Sequence, residues 1–184
     1  MLESRTERMG ADGIDGRSGT GTIHLILGPQ GAGKSTYARR LAAAEQATRF
    51  SIDEWMQQLF VPDLPKAMSL SWVMARVHRC EAQIWATAAQ ICANQGKVVL
   101  DLGFTKLESR LRFRQLAADI GVETQAHILD APHALRKQRV MQRNTEQGET
   151  YAFEVTPAMF DFMEKEFQRP TDEERAGAIV VDAT

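Results

Sequence analysis

Apolar residues follow two rhythms along this chain. One is the short unbroken run of a strand buried on both faces; the other recurs at helical spacing. Thr22-Ile23-His24-Leu25-Ile26-Leu27 is a run of the first kind, ended by Gly28. Arg49-Phe50-Ser51-Ile52, Lys97 to Asp101, Gln125 to Asp130 and Ala178 to Val181 repeat it, which predicts five strands. Between them, helical spacing predicts helices over 34–46, 70–94, 107–120, 132–144 and 156–167, with a short helix from 53 to 59. In the longest, Leu70, Val73, Met74, Val77, Ile84, Trp85, Ala88 and Ile91 share a face, and Gly96 stands where a helix is terminated. Pro62 and Pro65 mark 60–69 as a loop, and polar residues around Gly148 mark 145–155 as another. Strands alternating with helices predict an α/β domain: three layers, a five-stranded parallel sheet with helices on both faces.

Residues 1–21 fit no such rhythm. They hold five glycines and charges of both signs, and are expected to be a disordered leader, leaving 22–184 as one domain. The chain of 184 residues has a net charge of −2, which gives no overall pull toward nucleic acid or an anionic membrane. No run approaches the ~20 apolar residues of a membrane span, and the first residues have no apolar signal segment. Cys80 and Cys92 fall in one predicted helix, about 18 Å apart at ~1.5 Å per residue, too far for a disulfide. Two free thiols suit a reducing compartment, so the expected location is cytoplasmic.

The chemistry is concentrated after the first strand. Gly28-Pro29-Gln30-Gly31-Ala32-Gly33-Lys34-Ser35 is Gly, four residues, then Gly-Lys-Ser, between a strand and a helix. That is the context a phosphate-cradling loop (Walker A) requires. Glycines let successive backbone N–H groups close on phosphate oxygens, and the helix N-terminus adds partial positive charge. Lys34 would bridge the β- and γ-phosphates, and the Ser35 hydroxyl, followed by Thr36, would take magnesium. A dinucleotide loop would need Gly-x-Gly-x-x-Gly and no lysine there. The cofactors expected are therefore ATP and Mg2+, on a P-loop NTPase fold with a small lid.

Asp101 ends the apolar strand Val98-Val99-Leu100, where a magnesium-organising carboxylate sits; a turn-forming aspartate is the competing reading. Asp53 is expected at the carboxyl edge of the sheet, as a base for an acceptor hydroxyl or as a helix N-cap. Arg136, Arg139 and Arg143 are spaced i, i+3, i+7 and share a helix face that leads into loop 145–155. They either neutralise the transferred phosphoryl group from a lid or form a solvated basic face. His24, His78, His127 and His133 have no metal-ligand spacing and read as structural. Trp55, Phe60 and Trp72 wall an acceptor pocket or simply pack.

On these stretches the chain resembles the P-loop kinase-like proteins of the AAA-type predicted-kinase group, related to polynucleotide kinase, zeta toxin and chloramphenicol phosphotransferase. The resemblance runs from about Ile23 to Asp182. It is carried by Gly28 to Thr36, by Ser51-Ile52-Asp53, by Val98 to Phe104, and by Arg139 to Asn144 with Phe167-Gln168-Arg169-Pro170. It implies an ATP-dependent phosphotransferase with Asp53 as base, lid arginines as charge stabilisers, and the 167–170 segment near the adenine. Polynucleotide kinases carry an arginine three residues after that aspartate; Met56 stands here.

The function expected is transfer of the γ-phosphate of ATP to a hydroxyl of a small-molecule acceptor. Two alternatives stand beside it. A kinase of 5′-hydroxyl nucleic-acid ends would need a basic channel, against which the charge balance and Met56 count. A nucleotide-binding ATPase switch would act on a protein partner and need no acceptor pocket.

Overall fold

The computed structural model describes residues 21–64, 69–146 and 154–182. The expected leader lies outside these residues except for Gly21, as does most of the loop expected at 145–155. The elements run β1 (Thr22–Leu27), α1 (Lys34–Glu45), β2 (Thr48–Ser51), α2 (Ile52–Phe60), α3 (Leu70–Ala93) and β3 (Lys97–Asp101). They continue with α4 (Leu107–Asp119), β4 (Glu123–Asp130), α5 (His133–Glu146), α6 (Pro157–Glu166), α7 (Asp172–Ala176) and β5 (Ile179–Asp182). A single 3₁₀ turn, Val61–Asp63, follows α2.

The five strands form one parallel sheet in the order β2-β3-β1-β4-β5. From β1 the chain moves to the β2 edge, then back across the sheet to β3 and β4. Right-handed crossovers put helices of opposite travel on opposite faces, so α1 lies on one face and α3 and α4 on the other. The core divides accordingly. Ile23, Leu25 and Leu27 of β1 pack with Ile84 and Ala88 of α3 and Phe113 and Ala117 of α4. Ile26, one residue out of phase, packs with Val99, Leu129 and Ala38 of α1. β1, pressed on both faces, has no room for a polar alternation, yet His24 is accommodated there. Its Nδ1 lies 3.0 Å from Nε2 of His127, whose Nδ1 lies 2.8 Å from the Tyr37 hydroxyl.

The strand-to-helix transition at β2 differs from expectation. Ser51 ends the strand, and its hydroxyl accepts from the Glu54 N–H at 3.5 Å, so α2 begins at Ile52. Asp53 thus belongs to the first turn of α2, and Ser51 is the cap. α7 is an element that the turn expected at Pro170 did not anticipate. Thr171 and Glu174 close it with a reciprocal capping box.

Candidate active site

A cavity of about 430 Å³ opens at the carboxyl ends of β1 and β3, where the strand order reverses. Open α/β sheets take ligands at this place. Its floor is the glycine loop. Gly31 has φ 79°, and a Cβ there would stand 2.5 Å from the Arg136 carbonyl oxygen, so this turn admits only glycine. Gly33 has φ 87° immediately before α1, which aims the first N–H groups of that helix into the cavity. Gly28, Gln30, Gly31, Gly33, Lys34, Ser35 and Thr36 line it. Pro29 and Ala32 do not: Ala32 is buried against the α1-side core, and the Pro29 carbonyl accepts from Lys34 Nζ at 2.9 Å.

Asp53 and Asp101 line the same cavity. Asp53 keeps surface open to solvent, but protein around its carboxyl, and then the Asp101 charge, push its pKa up, against the pull of Lys34 and Arg143. Lys34 is pushed down, by burial first, with Asp101 and Asp53 opposing. Two carboxylates and a lysine therefore share one electrostatic field. Oδ2 of Asp101 is buried without a hydrogen-bond partner. A carboxylate with an unpaired oxygen, lining the same cavity as Ser35, suits a magnesium ion that keeps most of its ligands as water and phosphate. Among the described residues no group of three or more His, Cys, Asp or Glu could form an all-protein metal cage.

The arginine row separates. Arg139 and Arg143 line the cavity, and Nε of Arg143 is buried there without a hydrogen-bond partner. Arg136, expected to join them in handling phosphate, does not line the cavity. It is 1% exposed, and its guanidinium is taken by Glu164 at 2.6 and 2.8 Å, the Ala131 carbonyl at 2.9 Å and the Gln30 carbonyl at 3.2 Å. It binds α5 to α6 and to the glycine loop. The i, i+3, i+7 spacing does not tell which of the three reaches the cavity: Arg139 and Arg143 do, and Arg136 is turned to Glu164.

The far wall combines Gly103 and Thr105 with Met163 and Phe167. Gly103 and Phe104 both have positive φ, 85° and 38°, which turns the chain after β3. The Gln168 N–H donates to the Thr105 carbonyl at 2.9 Å, and Gln168 Oε1 accepts from the Leu107 N–H at 2.7 Å. Arg110, 1% exposed, completes the seam: it pairs with Glu174 through two nitrogens and donates to the carbonyls of Phe104 and Gln168. Thr105 and Met163 carry no sequence signal of their own. Trp55, Phe60 and Trp72 are absent from the lining and pack edge to face in two separate pairs: Trp55 on Phe50, and Phe60 on Trp72, over which Arg76 is stacked.

A family model described as an AAA domain matches residues 23–170. The chain belongs to that family. Solved structures of the same fold include a candidate kinase from Chloroflexus aurantiacus (17% identity, TM-score 0.70, covering 90% of this chain and 89% of that one). A gluconokinase from Sinorhizobium meliloti matches with 16% identity and TM-score 0.60, over 91% of this chain and 85% of its own. The Mycobacterium tuberculosis APS kinase CysC, in complex with AMPPNP and APS, matches with 18% identity and TM-score 0.58, over 89% and 88%. No curated protein matches the chain. The fold is thus P-loop kinase-like. Among the described residues no helix is long and apolar enough to cross a membrane.

Proposed function

We propose that this protein is an ATP-dependent phosphotransferase that moves the γ-phosphate to a hydroxyl group of a small-molecule acceptor. The observation that carries this reading is the placement of Asp53: a carboxylate with a raised pKa lines the same cavity as the glycine loop, Lys34 and Asp101. A nucleotide-binding switch has no need of a second carboxylate there. The likeness to a gluconokinase and to an APS kinase supports it.

The backbone N–H groups of 31–35 would hold the phosphates, and Lys34 would leave the Pro29 carbonyl to bridge the β- and γ-oxygens. Ser35 directly, and Asp101 through water, would hold magnesium, which supplies charge neutralisation on the phosphate oxygens. Asp53 would orient the acceptor hydroxyl and take its proton as the O–P bond forms. Arg139 and Arg143, from α5, would neutralise charge on the transferring group. Phe167 and Met163 offer apolar surface for the adenine.

The test is a transfer screen with γ-labelled ATP and magnesium over sugars, nucleosides, amino-alcohols and 5′-hydroxyl oligonucleotides. Label on one small molecule supports the reading. Label on oligonucleotides alone replaces it with an end-kinase, and label only in free phosphate replaces it with an ATPase.

A further inference from the structure

Asp101 has a neighbour whose placement is unusual for a structural ion pair. Arg49 on β2 and Asp101 on β3 project from the same sheet face, because Arg49 is opposite Val99 and Ser51 opposite Asp101 in the parallel register. Nη1 of Arg49 lies 3.8 Å from Oδ2 of Asp101. That is within reach of Coulomb attraction but beyond a hydrogen bond. Both atoms are buried and neither has a hydrogen-bond partner. The other terminal nitrogen, Nη2, is 2.5 Å from Oε1 of Glu54, an oxygen that also accepts from Arg39 of α1 at 3.0 Å. The guanidinium is therefore drawn toward Glu54 and held just short of Asp101.

We propose that Arg49 is a positioning residue that sets the cation affinity of Asp101, and that Glu54 controls it by holding the guanidinium back. This rests on the reading that Asp101 helps hold magnesium. Leaning on Glu54, Arg49 leaves Oδ2 without a hydrogen bond, so the Asp101 carboxylate keeps more of its charge for a cation in the cavity. Released from Glu54, it closes on Asp101, completes a direct hydrogen-bonded pair and competes with the cation. Glu54 directly follows Asp53 in the first turn of α2. A shift of α2 on acceptor binding would therefore be felt at Asp101, which couples the acceptor side of the cavity to its metal side.

The experiment is calorimetric titration of the full chain with AMPPNP, with and without magnesium, without turnover. The quantity read is the ratio of the two dissociation constants. In wild type magnesium tightens binding, and Asp101→Asn removes most of that gain. Arg49→Met should enlarge the ratio about 3- to 10-fold, less than the full effect of an opposite charge within ~4–6 Å. Glu54→Gln should shrink it by a similar factor, and should have little effect in the Arg49→Met background. A merely structural role would weaken binding in both single variants without opposite signs. An unchanged or smaller ratio in Arg49→Met, or a Glu54→Gln effect that survives there undiminished, overturns the proposal. If Arg49→Met does not fold, Glu54→Gln still decides: its ratio must fall, and must not change further in the Asp101→Asn background. A wild-type ratio that Asp101→Asn leaves intact removes the underlying role of Asp101, and this proposal with it.

Discussion

The carboxyl of Asp53 is caught between two opposing fields. Burial and Asp101 favour its protonated form; Lys34 and Arg143 favour the charged one, and the former win. A raised folded-state pKa means that the folded protein gives up this proton at a cost once pH passes the ordinary aspartate range, and the cost persists at higher pH. Asp53→Asn should therefore raise the melting temperature of the ligand-free protein at pH 7.5. The gain should vanish as pH falls toward the ordinary aspartate pKa, in melts followed by circular dichroism. For the reaction the sign is opposite in use: a base works only when ionised, so turnover should rise with pH across the raised pKa. Lys34→Ala should abolish transfer, because no other cation of the glycine loop can bridge the β- and γ-phosphates. Full activity in that variant would remove the loop from the mechanism.

At the scale of elements, ion pairs lock the cavity walls in place. Arg110 and Glu174, 1% and 5% exposed at their side chains, hold α4 to α7 and to the 168 segment. Removing one partner of a buried pair strands the other charge, so Glu174→Gln should cost about 3–5 kcal/mol in a urea titration. β1 and β4 share another buried pairing. His127 is lowered to about 4 by burial, with His24 adding to it. The unfolded chain then takes up a proton between about pH 6.5 and 4 that the folded protein refuses, and stability falls as pH drops through that window. The His127 shift alone predicts a loss of about 2 kcal/mol from pH 7 to pH 5, and His127→Gln should flatten that slope.

How much of this was legible in the sequence follows from the range of each interaction. The glycine loop is local: β1, the glycines and α1 follow one another directly in the chain, so its place followed from sequence alone. Strands β1 and β3 were bounded correctly because Gly28 and Gly96 punctuate them. The end of β2 was not, because Ile52 suits a strand as well as a helix and the Ser51 cap decided it. The capping box of α7, Thr171 with Glu174, is a signal of helix start that competes with the turn signal of the adjacent Pro170. The clasp of Arg136 on Glu164 spans 28 residues and no periodicity announces it. The His24–His127 contact depends on the register of β4 against β1, which pattern alone leaves open.

For the whole molecule, the glycine loop, the carboxylates and Arg139 and Arg143 of α5 lie on separate elements around one cavity, so ligand binding should bind the fold together. Saturation with magnesium–AMPPNP at about 100 times its dissociation constant should add ~2.7 kcal/mol of stability. For a chain of this size that is roughly 5–11 °C in melting temperature, and Lys34→Ala should lose most of it. The most direct measurement compares Asp53→Asn with wild type, using the acceptor found in the screen, for both AMPPNP affinity and single-turnover phosphoryl transfer. The account predicts near-equal affinity with transfer slowed ~10²–10⁴-fold, the range for a lost general base. Unchanged transfer in Asp53→Asn would contradict it.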